Sequence, residues 1–292
     1  MPNTEAASHV TWQGAGNLTK QYLFRVRDLV YQVAGIFRPD NELHLLESCC
    51  QRRMQVVGAH SVREYFGQLT LGADRERELH SLLQEITAGE TRFFRNPSQL
   101  KALRKVVIPA LLEAEAKLPA KHFRVWSAGC ATGEEPYTLA MVLMEELEGA
   151  LQGRTIEVVA TDWNDRRLAK AGEGVYGAES LSTVPPEYKE KYFIPQDGRF
   201  QVCDEIKSCV SFYRLNLLDE SKMVFMKEMH AIFCRNVLIY FDGTSKRRLV
   251  QHFYHNLVPH GFLFLGKEES LFGIHDDFRL IHFPGTIAYR KT

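Results

Sequence analysis

The fold is decided by the stretch Ser127-Ala-Gly-Cys-Ala-Thr-Gly-Glu-Glu-Pro-Tyr137, which joins a predicted strand to a predicted helix. Gly129 and Gly133 allow a tight turn there and a close approach of the backbone to a ligand. A loop between a strand and a helix is where a parallel α/β sheet binds its ligands. The same pattern is typical of a glycine turn that only connects the two elements, so the loop by itself leaves both interpretations open.

On both sides of this loop, apolar runs of β type alternate with helical patterns. The runs cover residues 123–127, 156–161, 231–234 and 261–265, and helical segments lie at 136–147 and 166–171. This alternation predicts an α/β fold with a doubly wound parallel sheet. Residues 193–214 break it, because they contain the hairpin dipeptide Asp197-Gly198 and a further β-like run at 210–213. We therefore predict a small antiparallel β insertion at about 193–214.

The chain before residue 89 has only helical patterns. Residues 1–18 are small and polar and predict a flexible tail, whereas 19–88 carry four amphipathic stripes and predict a small all-helical domain. The α/β domain then covers 89–292. Within the helical part, Ser61-Val-Arg-Glu64 has the spacing of a capping box, in which Ser61 and Glu64 each satisfy a backbone amide at the helix start.

Two adjacent arginines lie away from the apolar stripe of the second helical pattern. Arg52 projects opposite that stripe, and Arg53 lies at its edge. Charges placed in this way form either a solvated polar face or a contact surface for an acidic partner helix. A contact of the second kind would weaken as the salt concentration rises.

The composition is that of an ordinary globular protein. The 292 residues are 45% hydrophobic and 25% charged, which argues against disorder, collagen and a coiled-coil rod. Lys+Arg and Asp+Glu both number 36, so the basic excess typical of a nucleic-acid binder is missing. The six cysteines include no CxxC pair, so we expect no metal site. Without a signal peptide or an apolar run of about 18 residues, we predict a soluble, cytoplasmic protein, a monomer that does not insert into membranes.

Acidic residues after two predicted strands indicate the kind of ligand. Glu134-Glu135 would repel a pyrophosphate and attract a cationic group, and the glycine spacing is not the GxGxxG of a dinucleotide site. Asp162 ends the next strand, where an acid commonly accepts hydrogen bonds from both hydroxyls of a ribose. Aspartate is also a favoured helix N-cap. S-adenosylmethionine (SAM) fits these features, because it has a free ribose, no phosphate and a cationic sulfonium.

Two further segments mix polar and apolar residues without an obvious packing reason. In Glu90-Thr-Arg-Phe-Phe-Arg-Asn96, Arg95 could bind a carboxylate with its forked guanidinium, or the segment is only a clasp between domains in which Phe93-Phe94 pack on the α/β body. Asn96-Pro97 then predicts an N-cap and the first residue of a helix that runs toward Pro109. Phe233-Cys-Arg-Asn-Val-Leu-Ile-Tyr-Phe-Asp242 places an Arg-Asn pair after a buried run, and its tyrosine is either functional or an amphipathic surface ring.

These three segments resemble the chemotaxis receptor glutamate methyltransferases, the CheR family, from about residue 20 to the C-terminus. The resemblance implies a helical N-terminal domain, a SAM-binding α/β domain and a small antiparallel β-subdomain. The chain departs from the family at Gly266-Lys-Glu-Glu-Ser270, where a turn like Gly-His-Ser-Glu is expected. Its β insertion also looks short, which predicts that it does not grip a C-terminal receptor peptide.

The resemblance further implies roles for individual residues. The cofactor pocket would be lined by Gly89, Thr91, Arg95, Gly129, Glu134 and Asp162. Asn216 and Leu217 would flank the adenine, and Cys234, Arg235 and Asn236 would close the site. Arg95 and Tyr240 match positions next to the transferred methyl group, and Arg52 and Arg53 become candidate receptor contacts.

The implied activity is methyl transfer from SAM to glutamate carboxylates on the cytoplasmic helices of chemoreceptors. Such a displacement needs no metal, because the glutamate is already ionised at neutral pH. Two alternatives stay open: a methyltransferase acting on another protein or a small acid, and a non-catalytic module that binds SAM as a signal. An oxidoreductase using a dinucleotide is the weakest alternative, because the phosphate-binding glycine pattern is absent.

Overall fold

The computed structural model describes residues 16–87, 89, 91–115 and 121–292 of the chain. The chain divides into two compact units between Ala88 and Gly89. Most of the predicted tail at 1–18 lies outside the described residues, but the first helix already begins at Gly16, within the predicted tail. In the part of the chain that is described, no helix is both long and apolar enough to span a bilayer.

The described part of the first unit is built from four amphipathic helices, as the periodicity predicts. They are α1 (Gly16–Ala34), α2 (Leu43–Val57), α3 (Val62–Leu71) and α4 (Arg75–Ile86), with a short 3₁₀ turn at Asp40–Glu42. One apolar stripe of each helix is buried, and Leu46, Tyr65 and Leu82 are at most 1% exposed. Burial of these stripes, more than helix propensity, holds helices of this length together.

The start of α3 follows the predicted capping box in one half only. Ser61 Oγ accepts the amide of Glu64 at 3.2 Å, as expected. Glu64 Oε2, however, accepts the amide of His60 at 2.8 Å, where the capping box predicts that of Ser61. The carboxylate therefore satisfies an amide one residue farther from the helix, and the chain entering α3 is still tied to its first turn.

A mixed sheet of seven strands forms the centre of the second unit within residues 121–292. The strands of this sheet and of a smaller one are β1 (His122–Ala128), β2 (Thr155–Asp162), β3 (Val175–Tyr176), β4 (Phe193–Gln196), β5 (Arg199–Val202), β6 (Val210–Arg214), β7 (Met229–Cys234), β8 (Leu257–Leu265), β9 (Phe278–Phe283) and β10 (Thr286–Lys291). The order across the large sheet is β6-β2-β1-β7-β8-β10-β9. Its first five strands are parallel, and β10 and β9 continue it antiparallel.

Helices flank this sheet on both faces, which confirms the predicted doubly wound α/β class. They are α5 (Pro97–Ala102), α6 (Ile108–Ala114), α7 (Glu134–Met144), α8 (Asp165–Glu173), α9 (Pro186–Tyr192), α10 (Asp204–Ser208), α11 (Glu220–Met223) and α12 (Gly243–Asn256). Successive strand residues alternate between the two faces. Phe123 and Val125 of β1 join a core with α7, whereas Trp126 and Ala128 join a second core with α12.

The β insertion exists, but its bounds differ from the prediction. The small antiparallel sheet has the order β3-β5-β4, and the predicted hairpin joins β4 to β5 through Asp197 and Gly198, both at positive φ. The run at 210–213, which the prediction placed in the insertion, is β6, a parallel edge strand of the large sheet paired with β2. The two-residue strand β3 was not predicted. Local β propensity does not say which sheet a strand joins, because pairing partners lie far away in sequence.

The helix predicted after Asn96-Pro97 continues past Pro109 with a change in its winding. Pro97 is the first residue of α5, as predicted, but the Asn96 side chain makes no capping hydrogen bond. Between α5 and α6 the helix widens into a π-turn at Leu103–Val107, and the Ile108 amide donates to the carbonyl of Leu103. Pro109 has no amide to donate and its ring crowds the preceding turn, so the wider turn relieves the conflict.

Candidate functional site

Most of the predicted site residues lie at one edge of the large sheet. Four neighbouring parallel strands, β6, β2, β1 and β7, end there. The residues at or just after these strand ends are Gly129 and Glu134 (β1), Asp162 (β2), Asn216 and Leu217 (β6), and Cys234, Arg235 and Asn236 (β7). Because the carboxyl ends of parallel strands meet at the same edge, the fold gathers residues that are distant in sequence into one crevice.

The two glycines of the loop after β1 are explained by packing within the protein. Gly129 has φ +85°, and a Cβ there would lie 2.5 Å from Val237 Cγ2. Gly133 has φ +95°, and its Cβ would lie 2.7 Å from Tyr176 Oη and 2.8 Å from Ala171 Cβ. The space that a side chain would need is occupied by the chain itself, so these glycines do not require a ligand to account for them.

Asp162 ties the glycine loop to the end of β2. The amide of Ala131 donates to Oδ2 and the amide of Asn164 to Oδ1, both at 2.9 Å. The N-cap of α8 is Asn164, whose side chain accepts the amide of Arg167 at 3.1 Å, so the alternative of Asp162 as the cap is wrong. A carboxylate has about four acceptor positions, which leaves capacity for the hydroxyls of a ligand. Burial raises the pKa of Asp162.

The two glutamates that begin α7 have different surroundings. Glu134 is 2% exposed, its Oε2 accepts the hydroxyl of Thr132 at 2.7 Å, and burial raises its pKa. Glu135 instead forms a buried ion pair with Arg235 and accepts the hydroxyl of Ser127 at 2.6 Å. Of the acidic pair predicted to attract a cationic group, Glu135 is therefore neutralised by Arg235. Glu134 is left as the acid that can attract a cationic group at this helix start.

The loop after β6 is held close to the end of β2. The amide of Leu215 donates to the carbonyl of Asp162 at 3.1 Å. Asn216 Oδ1 accepts the amide of Leu218 at 3.0 Å, which shapes the turn, and Leu217 is buried. Asn216 and Leu217, the predicted adenine neighbours, therefore come directly after a residue whose backbone contacts Asp162, the acid predicted to bind the ribose.

An aromatic residue that the sequence interpretation passed over lies beside this acid. Trp163 directly follows Asp162, and the guanidinium carbon of Arg214 lies 5.0 Å from the centre of its ring. A tryptophan at the end of a buried strand was the available signal, because large rings at a ligand edge often supply a flat apolar surface.

The segment 91–96 packs against the α/β body, as predicted. Phe93 and Phe94 are buried, and the amide of Phe94 donates to Thr138 Oγ1 on α7 at 3.1 Å. Thr91 and Arg95, from the same segment, are half-buried. Glu90 lies outside the described residues. This confirms the predicted packing of the two rings on the α/β body, and it leaves the predicted role of Arg95 open.

Gly89 and Tyr240 lie next to each other. A Cβ on Gly89 would be 3.8 Å from the Tyr240 hydroxyl. Tyr240 ends a short 3₁₀ turn at Leu238–Tyr240 that follows the end of β7. Two residues predicted for the site from separate motifs are therefore neighbours in the structure.

The segment after β7 is held by buried polar contacts. Cys234 is fully buried in the sheet core, so only its backbone can face a ligand. Asn236 has φ +60°, and its amide donates to Glu269 Oε2 at 2.7 Å, which also accepts the amide of Gly266 at 2.7 Å. The departure at Gly266-Lys-Glu-Glu-Ser270 therefore changes the two middle positions of the expected turn. Its terminal glycine and glutamate are kept, and both contact this site.

The two arginines of α2 differ in what they contact. Arg53 forms a two-pronged pair with Glu78 at 3.0 and 2.6 Å, and the hydroxyl of Tyr65 donates to the same carboxylate at 2.7 Å. The Arg53 side chain is 13% exposed, whereas that of Arg52 is 54% exposed and pairs with Glu85 at 3.0 Å. Arg53 is thus engaged inside the helical unit, and Arg52 lies on its surface.

The chemistry of this sheet edge fits SAM. Glu134 offers a buried carboxylate, and Asp162 a half-buried one, to hydroxyl or ammonium donors. A helix that begins with the unpaired charge of Glu134 is a poor site for a pyrophosphate, which a positive helix start would have to bind. Within residues 16–87, 89, 91–115 and 121–292, no three His, Cys, Asp or Glu side chains are grouped to hold a metal ion.

Similarity to known proteins agrees with this site. Residues 89–287 match the family described as CheR methyltransferase, SAM binding domain, and residues 23–87 match CheR methyltransferase, all-alpha domain. The chain is 35% identical to chemotaxis protein methyltransferase 2 of Vibrio cholerae serotype O1, over 91% of either protein. It is 35% identical to the chemotaxis protein methyltransferase of Borreliella burgdorferi, over 88% of this chain and 90% of the relative. With that of Escherichia coli K12 it shares 33% identity, over 90% of this chain and 89% of the relative. The chain therefore belongs to the CheR methyltransferase family, with an all-alpha domain followed by a SAM-binding domain, as its motifs predict.

Proposed function

We propose that this protein transfers the methyl group of SAM to glutamate carboxylates of chemoreceptors, which yields glutamate methyl esters and S-adenosylhomocysteine for sensory adaptation. Family membership and the names of the relatives, chemotaxis protein methyltransferases, support the proposal. The observation that carries it is the position of two carboxylates, the buried Glu134 and the half-buried Asp162, at the same edge of the sheet in a SAM-binding domain. We also propose that the protein is cytoplasmic and monomeric, and that it neither binds nucleic acid nor inserts into the bilayer.

The chain has to hold and align the reactants. Bound SAM supplies an electrophilic methyl group on a sulfonium. A glutamate side chain has a pKa of about 4.3 and is ionised at neutral pH, so the protein need not provide a strong base. Its contribution is to remove water from the acceptor carboxylate and to align it, and alignment alone accounts for large rate factors.

Arg95 and Tyr240 are the residues to which we assign this alignment. Arg95 holds a carboxylate, either that of the amino-acid end of the cofactor or that of the acceptor. Pairing the attacking oxygen itself with a guanidinium would lower its nucleophilicity, so the Tyr240 hydroxyl donates to the oxygen that does not attack. Glu134 and Asp162 accept the hydroxyl or ammonium donors of the cofactor.

Single substitutions separate these roles. Tyr240→Phe should lower kcat by about tenfold to a hundredfold, the usual loss for a hydrogen bond to a charged group, and leave binding of S-adenosylhomocysteine unchanged. Arg95→Ala should weaken S-adenosylhomocysteine binding if it holds the carboxylate of the cofactor, and should raise only the KM for the receptor if it holds the acceptor. Wild-type turnover in both variants would contradict the assignment.

The experiment that tests the function uses methyl-labelled SAM and a receptor signalling fragment from the same organism. We expect label in the receptor that base releases as volatile methanol, because a carboxyl ester hydrolyses and N- or C-methyl groups do not. Asp162→Ala should abolish the label together with S-adenosylhomocysteine binding. Asp165→Ala, an exposed acid three residues further on, serves as the matched control and should keep both.

The negative outcomes have distinct meanings. A receptor that stays unlabelled while S-adenosylhomocysteine binds would contradict the chemoreceptor substrate and favour another acceptor or a signal-binding module. Label that resists base would contradict ester formation. Absence of S-adenosylhomocysteine binding would contradict the cofactor itself.

A further inference from the structure

A buried polar network connects α7 to the segment that carries Arg95. The Arg235 guanidinium pairs through Nε with Glu135, and its Nη1 donates to the backbone carbonyl of Arg95 at 2.7 Å. The same Nη1 lies 3.4 Å from Gln99 Oε1, and Gln99 Nε2 donates to the carbonyl of Leu265 at 2.7 Å. The network therefore links residues at or just after the ends of β1, β7 and β8 to the main chain of Arg95.

The backbone that this network reaches is strained. Phe94 has φ +52° and Asn96 has φ +59°, so Arg95 stands between two residues in the left-handed region. This conformation is unfavourable for Phe94 because of its Cβ, although asparagine tolerates it better, and it persists only where neighbouring structure enforces it. Two other contacts hold this segment in addition to the one at the Arg95 carbonyl. The Phe94 amide donates to Thr138, and the Phe93 carbonyl accepts the hydroxyl of Thr183.

Burial of the Arg235–Glu135 ion pair carries a large desolvation penalty. The Arg235 and Glu135 side chains are only 5% and 11% exposed. A buried pair is often no better for stability than apolar residues of the same volume, and some such pairs serve conformational specificity instead. Here the conformation that the pair would specify is that of the main chain at Arg95, because a planar guanidinium can pair with a carboxylate and donate to a carbonyl at the same time.

We propose that Glu135 and Arg235 are positioning residues, which fix the strained main chain at 94–96 so that the Arg95 side chain is presented to the reactants. This inference rests on the proposed function for the role of Arg95, and it deepens that function. It also reassigns Arg235, predicted to bind the cofactor, because the contacts described above direct two of its three nitrogens to the protein itself. Glu135 holds Arg235, and Ser127 holds Glu135.

The test replaces the pair by apolar residues of similar volume, Glu135→Leu with Arg235→Met, in the full chain. We expect the thermal midpoint to stay within a few degrees of wild type, since no unpaired charge is left buried. In the cofactor-free protein, hydrogen exchange at the Phe93 and Phe94 amides should accelerate at least tenfold. The kcat/KM for methyl transfer should fall roughly a hundredfold, the usual cost of a misplacement near 1 Å.

The matched control removes another ion pair of the same unit. Arg124 pairs with Glu157 at 2.8 Å, near the start of the neighbouring strands β1 and β2, and Arg124→Met with Glu157→Leu should leave exchange at Phe93 and Phe94 as in wild type. If the first double variant does not fold, Arg235→Lys replaces it. A single ammonium group can keep the charge beside Glu135 but cannot also span to the Arg95 carbonyl, so the same acceleration is expected.

The exchange measurement separates this inference from the proposed function, because it needs neither an acceptor nor turnover. Wild-type exchange at Phe93 and Phe94 in a folded variant would overturn the positioning role, whatever the acceptor proves to be. Faster exchange with unchanged S-adenosylhomocysteine affinity and unchanged kcat would overturn it too, since the segment would then move without consequence for the reaction.

Discussion

At the scale of single residues, the loop after β1 illustrates how one pattern admits two causes. Its glycines point to a backbone that must adopt positive φ, and both Gly129 and Gly133 do so. The sequence interpretation left open whether a ligand or a simple connecting turn requires them, and in the structure the side chains that fill the space belong to Val237, Tyr176 and Ala171. The glycines thus serve packing between segments that are distant along the chain, and the ligand-facing groups are the carboxylates beside them.

Gly129→Ala should therefore lose stability for two reasons at once. The left-handed backbone costs roughly 1–2 kcal/mol for any residue with a Cβ, and the new methyl group would overlap Val237 Cγ2. Gly198→Ala is the matched control, because its φ of +75° is similar and nothing lies within 4 Å of the added Cβ. Urea unfolding should show a larger loss of unfolding free energy for Gly129→Ala.

The double variant Gly129→Ala/Val237→Ala isolates the second cause. It should recover part of the difference between the two single glycine variants, since the overlapping methyl group is gone. Equal losses for Gly129→Ala and Gly198→Ala would show that backbone conformation alone is responsible.

At the scale of elements, α2 shows that two neighbouring arginines can have opposite roles. The helical turn rotates Arg53 toward Glu78 on α4, and the hydroxyl of Tyr65 on α3 completes a buried polar cluster. Arg52 faces outward and pairs with Glu85 on the surface. We therefore keep Arg52 as the proposed receptor contact and assign Arg53 to the stability of the helical unit.

Alanine substitutions of these two arginines should separate stability from receptor recognition. Arg53→Ala leaves Glu78 buried without its cation and should cost about 3 kcal/mol of unfolding free energy in the helical unit. Arg52→Ala removes an exposed pair and should cost less than about 1 kcal/mol, while raising the receptor KM in a salt-dependent way. Urea unfolding with hydrogen exchange in α2 and α4 measures the first effect, and initial rates at two salt concentrations measure the second. Equal destabilisation by both variants would contradict the division.

At the scale of the second unit, the two edges of the large sheet carry different polar groups. The carboxyl edge gathers the acids and the Arg95 segment, and the opposite edge has a cleft lined by five histidines, His122, His230, His252, His255 and His260. Among these, His230 is 2% exposed at the start of β7. Its Nδ1 accepts the Arg124 amide at 3.1 Å, which places the proton on Nε2 toward Glu115 Oε1 at 2.8 Å.

This histidine should make the unit sensitive to acid. Burial lowers the pKa of His230, with the nearby Glu115 opposing the shift. In the unfolded chain the pKa is about 6.5, so below that pH the unfolded state binds a proton that the folded state still rejects. Stability is then lost as the pH falls from about 6.5 through the folded value, at up to about 1.4 kcal/mol per pH unit.

His230→Gln should flatten this pH dependence, because an amide can keep both hydrogen bonds and does not titrate. His282→Gln on the exposed side of β9 is the control and should keep the wild-type slope. The measurement is the unfolding free energy from urea titrations between pH 5 and pH 7. A slope unchanged by His230→Gln would assign the acid sensitivity to other groups.

The sequence by itself determined the α/β class, the four-helix unit, the hairpin at Asp197-Gly198 and the loops that carry the site, because each depends on local periodicity, turn chemistry or motif order. Parallel strands then brought Glu134 and Asp162 to one edge without further information. The secondary structure and the turns can be predicted in this way because they depend on residues that are close together in the sequence.

Only the tertiary structure decided which polar groups pair with each other. It turned Glu135 toward Arg235 and Arg53 toward Glu78, and it placed β6 beside β2 in the large sheet. It also positioned the Glu269 carboxylate to accept hydrogen bonds from two backbone amides, one of them that of Asn236. These contacts join segments far apart in sequence, and burial makes their charges costly unless they meet. A local pattern can report that a residue is charged, but its partner is chosen by the packing of the whole fold.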